Sequence, residues 1–411
     1  MSEHAAELIA AAAPSPALGV PASLHASLMA RLDRLGPAKE VAQIGAAIGR
    51  KFSHALVAAV MQKPERELGS ALDRLIAAGL LFRQGRPPHA NYLFKHALVQ
   101  DAAYSTLLRG PRQNLHARIA KSLEQQFPEP TRVEPELLAH HFTEAGQAEV
   151  AISYWLKAGQ RAAEHSADEG AVRHLRRGLE LLITLPDSTQ KDRQELDFQL
   201  ALGTPLTARY GYGSPPVGAA SNRAVALCEK LGGMKPLLPT LNLQYVYCTA
   251  SGRIPEALEY SERCQSIAAH TGDRLARLIA NRAMGVSLFE MGQFEAARAK
   301  LEQFLVMERN EEDRSLSVNY VADPWANALA YLALSLWVLG YPDQAVAVRK
   351  QALKHATDTN HANTSSIVTI YAGAQLGALE CATCFNAIVD DVLSWFWSRS
   401  LCTNFLERAV I

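Results

Sequence analysis

The spacing of apolar side chains changes character along this chain, and the change marks its organisation. Leu24, Leu28, Leu32 and Leu35 fall on one stripe of a helix predicted over residues 23–35 and closed by Gly36-Pro37. Pro37 opens a second helix over 38–48 that Gly49 stops, and Ser53 caps a third through about Met61. Pro64 starts a fourth over 65–78 that ends at Gly79. Two short β-favouring runs follow, 80–83 and 91–94, joined by a loop with Gly85, Pro87 and Pro88 that suits a hairpin. From Pro135 onward only helical periods with Gly-centred turns remain.

The helical part repeats itself. Residues 281–297 place Gly285 near the middle of a first helix, Gly292 at a turn, Phe294 two on and Ala297 five on. Residues 329–345 match almost as well through Ala333, Gly340 and Ala345, with Ala352 closing the second helix. Weaker matches run over 241–257 around Gly252, over 137–151 around Gly146, and from Trp155 to Ala171. This is the tetratricopeptide pattern, although Gly252, Gly292 and Gly340 lie 40 and 48 residues apart, longer than the ~34 usual for such repeats. One such hairpin cannot bury its apolar face alone, so the hairpins are expected to stack into a solenoid with a concave surface for a partner.

The expected fold class is therefore mainly α: a small winged-helix module with one β-hairpin, followed by an α-solenoid of tetratricopeptide-like hairpins. Residues 1–20, rich in Ala and Pro, are expected to be a flexible tail or truncated linker, and residues 21–127 the winged-helix-like module with its junction helices. The solenoid is expected over 134–360, interrupted at about 204–220 by Pro205, Gly211, Gly213, Pro215 and Pro216, with a degenerate extension over 361–411.

Composition narrows the function. Lys+Arg and Asp+Glu are equal at 41 each, so no global field recruits nucleic acid or an anionic membrane. The fourth helix carries Arg66 and Arg74 against Glu65, Glu67 and Asp73, a poor composition for a groove-reading helix that must meet phosphates. A packing or protein-contact role is the better reading of the winged helix. Acids at Glu3 and Glu7, the short apolar run at 8–13 and the scattered six cysteines point to a cytoplasmic chain with neither secretory signal nor membrane span.

Positive charge concentrates between Arg83 and Lys121, where seven cations face the single acid Asp101. Lys95, His96, Arg109 and Arg112 are the candidate binding residues there, for phosphate or for docking. No catalytic residue, cofactor or metal is expected. The run Gly213-Ser-Pro-Pro-Val-Gly218 has Ala219 where a phosphate loop needs Lys. Cys381-Ala-Thr-Cys384 lacks a second pair at metal spacing. Glu136, His140 and Glu144 share a helix face at four-residue spacing but lack a fourth ligand, and the adjacent His140 and His141 should diverge around the helix. His96, Asp101 and His116 have no nucleophile beside them in a recognisable setting.

With these residues laid out, the chain resembles the C-terminal regulatory half of large bacterial proteins that join a class III adenylate/guanylate cyclase domain to a STAND-type AAA ATPase and tetratricopeptide repeats. The resemblance rests on residues 20–36, on Ile48-Gly-Arg-Lys-Phe52, on Phe94-Lys-His-Ala-Leu-Val-Gln-Asp-Ala-Ala-Tyr104, on Pro135-Glu-Leu-Leu-Ala139 and on Leu339-Gly-Tyr-Pro342. It covers roughly residues 20–360, and the 94–104 string is its specific part. In that family cyclase and P-loop lie upstream of the matched segment, so the resemblance implies a chain without either catalysis. It further implies a winged helix that closes on an ATPase domain, in cis or in trans, with a basic residue or histidine there sensing bound phosphate. A protein partner on the concave face is the expected second contact. The alternative is a DNA-binding transcriptional regulator with a helical-repeat sensor.

Overall fold

The computed structural model describes residues 22–127, 134–232, 237–307, 309, 323–359 and 362–377. They group into two compact units that divide between Lys157 and Ala158. Among the described residues, no helix is long and apolar enough to cross a membrane. The expected tail at 1–20, Cys381-Ala-Thr-Cys384 and most of the 361–411 extension lie outside the described residues.

The first unit opens with α1 (Ala22–Asp33) and α2 (Ala38–Ile48), then β1 (Lys51–Ser53), α3 (His54–Met61), α4 (Glu65–Ala77), β2 (Leu81–Gln84) and β3 (Asn91–Phe94). Leu28 and Leu32 are buried as the stripe in α1 requires, and Gly36 closes that helix at φ +54°. The three strands pair antiparallel in the order β1-β3-β2, with Phe52 opposite Tyr92 and Leu81 opposite Phe94. Strand β1 is the element that periodicity misses, because three residues are too few to alternate visibly. Its Phe52 stacks on Tyr92 at 5.7 Å and reaches Phe94 at 5.6 Å. Gly45 makes room for it, since a Cβ there would stand 2.5 Å from the Phe52 ring. Ser53 caps α3 by accepting from the Leu56 N–H at 3.2 Å.

Beyond the sheet come α5 (Ala97–Ser105), α6 (Arg109–Gln126) and α7 (Pro135–Glu144), and α8 (Ala148–Glu164) runs across the division. The second unit continues with α9 (Asp168–Ile183), α10 (Thr189–Tyr210), α11 (Pro215–Leu231), α12 (Leu237–Ala250), α13 (Ile254–Thr271), α14 (Arg274–Glu290) and α15 (Phe294–Leu305). It closes on α16 (Pro324–Val338), α17 (Pro342–Thr359) and α18 (Ala362–Gly377). Tyr245, Leu278, Leu301, Phe304, Trp325 and Leu336 are among the buried residues of one of its cores.

One turn recurs. At Gly252, Gly292 and Gly340 the glycine has φ of +73°, +78° and +86°, and the following N–H reaches back five residues, to Cys248, Leu288 and Leu336 respectively. Gly146, in the first unit, does the same with φ +74° and a bond from Gln147 N–H to the Phe142 carbonyl. Five residues after each glycine stands a fully buried alanine: Ala151, Ala257, Ala297 and Ala345. At that point two helices pass closely enough that only a methyl fits.

A fifth copy of the turn carries Ser166 at φ +56°, with Ala167 N–H bonded to the Ala162 carbonyl and buried Ala171 in the fifth place. The left-handed conformation strains a serine and not a glycine. Ser166→Gly is accordingly expected to stabilise the second unit by about 0.5–1 kcal/mol, read as a higher urea midpoint at unchanged slope.

The break expected across 204–220 narrows to a short turn between α10 and α11. Pro205 lies inside α10, which continues through it from Thr189 to Tyr210. The Gly213 to Gly218 spacing serves packing: a Cβ at Gly218 would meet the Tyr247 ring at 2.3 Å, and one at Gly213 the Ala250 carbonyl at 2.9 Å.

Candidate functional site

The basic residues expected to act together divide between two neighbourhoods. Residues 92–104 run from strand into helix as their sequence suggests, with exposed His96 at the N-cap of α5 in extended conformation. Lys95 folds its ammonium 4.5 Å above the ring centroid of Phe82, a β2 side chain that is half exposed. Arg109 begins α6 and is exposed, next to Leu108, which is 76% exposed. Arg112, one turn on, lies over the Tyr104 ring at 5.5 Å. It belongs to a different constellation from Lys95.

That constellation is a histidine cluster. His116 on α6 and His141 on α7 are fully buried, with their Nδ1 atoms 2.8 Å apart, and exposed His140 presents its ring edge-on to His116 at 5.8 Å. His140 and His141 do not diverge as their adjacency suggests: their ring centroids lie 5.3 Å apart, and the His116 ring lies against both, at 5.8 and 5.1 Å. The ligand atoms of the three lie within 4.8 Å of one another. Glu144, one turn beyond His140, is not among these three grouped ligands. It is reached instead by the Tyr104 hydroxyl, at 3.3 Å.

Tyr104 sets the tautomer of His116. Burial, then the Glu144 carboxylate, push its phenol up to about 12, so at neutral pH the hydroxyl keeps its proton and can donate it to Glu144. Having donated there, the Tyr104 oxygen can only accept from His116 Nε2, which lies 2.9 Å away. With the Tyr104 proton directed at Glu144, His116 is the Nε2–H tautomer and its Nδ1 lone pair faces His141; with that proton directed at His116 Nε2 the tautomer is the reverse. Burial, then His140 and Arg112, hold His116 down to about 4, and burial followed by His140 and His116 hold His141 well below the ordinary range. His141 Nε2 is buried with no hydrogen-bond partner.

Sequence reasoning weighed these histidines separately because 24 residues and a helix boundary separate His116 from His140. The available signal was that α6 and α7 are consecutive helices on a short link, which commonly pack as neighbours.

A second polar assembly lies within the second unit. The Arg282 guanidinium of α14 donates to Asn242 of α12 at 2.8 Å and covers the Tyr245 ring at 5.6 Å. The Tyr331 hydroxyl of α16 bonds Glu290 at 3.2 Å and the Tyr371 hydroxyl of α18 at 2.8 Å. Tyr212, in the turn between α10 and α11, is close enough to Tyr371 and Arg282 to feel both electrostatically. Burial holds Tyr245 up at about 12 and Tyr331 well above the ordinary value, so both stay neutral hydroxyls. Three buried polar atoms on these elements have no partner: Tyr212 Oη, Gln244 Oε1 and Asn327 Oδ1.

No family model matches the chain. Over 204 residues it is 30% identical to an uncharacterised protein of Rhizobium meliloti (strain 1021), a match covering 49% of this chain and 20% of the relative. The chain thus spans about a fifth of the length of the curated relative it matches. Among solved structures it is similar to NprR in complex with its cognate peptide NprX, with a TM-score of 0.46 at 12% identity, covering 94% of this chain and 93% of that one. It is also similar to a Rap protein complexed with Competence and Sporulation Factor, with a TM-score of 0.45 at 11% identity over 93% of this chain and 89% of that one. A signal transduction ATPase with numerous domains and a tetratricopeptide repeat sensor from Pyrococcus horikoshii gives a TM-score of 0.41 at 12% identity, covering 88% of this chain and 57% of its own.

Proposed function

We propose that the chain is a non-catalytic regulatory module, whose hairpin array binds an extended segment of a protein partner and whose N-terminal unit is a winged helix that docks on an ATPase domain. The observation that carries the first part is the polar assembly among α12, α14, α16 and α18, together with three unpartnered buried atoms on α12, on α16 and in the turn between α10 and α11. Burying such atoms costs about 1–3 kcal/mol each unless a partner satisfies them, and an extended peptide supplies backbone donors and acceptors at regular intervals. A peptide-display selection against the full chain is expected to enrich extended sequences. Tyr212→Phe combined with Asn327→Ala is expected to weaken a selected peptide about tenfold, the value of one to two hydrogen bonds. A selected peptide whose affinity ignores both substitutions sinks this reading.

Three observations support the docking part. The order α2-β1-α3-α4-β2-β3, with strands arranged β1-β3-β2, agrees with the plan expected of a winged helix and supports that reading. Phe82 under Lys95 and Leu108 beside Arg109 each pair an exposed apolar side chain with a cation, a composition suited to a protein surface that carries phosphate or carboxylate. On α4, Glu65, Glu67 and Asp73 outnumber Arg66 and Arg74, a composition that disfavours the DNA-binding alternative even though Asp73 is paired with Arg83 at 3.3 Å. Replacing Lys95 and His96 together by Ala should weaken docking to a cognate STAND-type ATPase domain while the array's unfolding stays unchanged. Duplex binding with sequence preference and a steep salt slope would instead favour the DNA reading.

A further inference from the structure

We propose that His116, His140 and His141 form a three-imidazole site for one divalent transition-metal ion of the zinc class, which clamps α6 to α7. With Tyr104 donating to Glu144, His116 Nδ1 keeps a lone pair. It faces His141 Nδ1 at 2.8 Å. Two neutral imidazoles meet at such a distance in one of two ways. Either His141 puts a proton between them, or both present lone pairs and a cation lies between them; His141 Nε2 is buried without a partner in both cases.

The donor set suits the second arrangement. Neutral imidazole suits zinc, copper, iron and nickel, and carboxylate or thiolate chemistry is missing from these three side chains. A tetrahedral ion with metal–nitrogen distances near 2.0–2.1 Å places its ligand nitrogens about 3.3 Å apart. The buried pair needs to open by only a few tenths of an ångström from 2.8 Å to meet that. His140 supplies the third nitrogen, and because it is exposed it can swing in from its present spread of up to 4.8 Å. Three ligands leave one position for solvent or for an incoming side chain.

The surroundings also fit. A ligating histidine usually donates its other N–H to an oxygen acceptor that fixes the ring. His116 does so through Nε2 to Tyr104, which Glu144 in turn orients, so the ring is already held by a chain of two outer partners. An ion here would tie together helices drawn from either side of the link at 127–134.

The test uses the untagged full chain, stripped with a chelator and titrated with cobalt(II) as a spectroscopic probe, then with zinc to displace it. The expected result is one saturable equivalent per chain, with visible absorption of a four-coordinate nitrogen-rich site and a rise in melting temperature on loading. His140→Gln removes an exposed ligand and so leaves folding intact, and it is expected to lower cobalt affinity at least tenfold. Absence of a one-equivalent site overturns the proposal. So does wild-type affinity in His140→Gln, which would assign the binding to scattered surface histidines.

Discussion

Asp323→Ala is expected to destabilise the second unit by about 3 kcal/mol, toward the lower end of the cost of breaking a buried ion pair. The Asp323 side chain is fully buried ahead of α16. It accepts from the Trp325 and Ala326 N–H groups at 3.0 Å each, from Arg309 at 2.7 Å and from His355 of α17 at 3.0 Å. Its own N–H donates to the Thr364 hydroxyl of α18 at 2.8 Å. One carboxylate thus caps one helix and gathers groups near two others. Loss of the cap alone is worth about 1 kcal/mol, and the remainder comes from Arg309 and His355 losing their counter-charge. Because Arg309 and His355 are partly exposed, at 29% and 25%, water offsets some of that loss.

The same carboxylate makes a pH prediction. Burial pushes its acidity the wrong way, but hydrogen bonds from His355 and the Ala326 N–H, with the charges of His355 and Arg309, more than offset it and hold the group below its ordinary 3.8. Folding then favours the ionised form. Its stabilisation is complete above the ordinary carboxylate value and fades as pH falls through the lower folded value. Asp323→Asn, which keeps the shape, should therefore be less stable than the natural chain by a constant amount near neutrality, with the gap closing below about pH 4. Urea midpoints measured across that range check it, and a gap that widens in acid would reverse the assignment.

Gly285→Val is expected to cost about 3 kcal/mol, the upper end of overpacking penalties. A Cβ at Gly285 of α14 would stand 2.7 Å from Leu301 Cγ, 2.8 Å from its Cδ2 and 3.4 Å from its backbone nitrogen on α15. Leu301 is itself fully buried, so it has nowhere to retreat. Gly285→Ala is milder, since better helix propensity returns about 1 kcal/mol. The diagnostic measurement is the pair: Leu301→Ala alone should cost about 2–5 kcal/mol, and noticeably less in the Gly285→Ala background, where the new methyl fills part of the cavity. Strict additivity would mean the two side chains do not compete for one space.

How much of this was legible beforehand follows from the range of each signal. Helices α1 to α4 were readable because Pro37, Ser53, Pro64 and Gly79 punctuate them locally. The turns at Gly252, Gly292 and Gly340 were readable because glycine is required where φ is positive. The turn at Ser166 was not, since its serine gives no such notice. Pro205 overstated a break because its helix runs on through it to Tyr210. The candidate residues Lys95, His96, Arg109 and Arg112 were chosen by charge along the chain, and charge does not reveal that Lys95 leans on Phe82 while Arg112 leans on Tyr104. The histidine cluster and the Asp323 hub depend on contacts 14 to 41 residues apart, which no local window contains.

The recurring glycine turn has a kinetic consequence. Each copy closes its hydrogen bonds within six residues, so a hairpin can form before any distant part of the chain is in place, at little cost in loop entropy. Folding of the array should then start at any of the glycine turns and spread to neighbours, as in other one-dimensional stacks. The turn at Ser166, whose left-handed residue is strained, is the least favoured starting point and the place where spreading pauses.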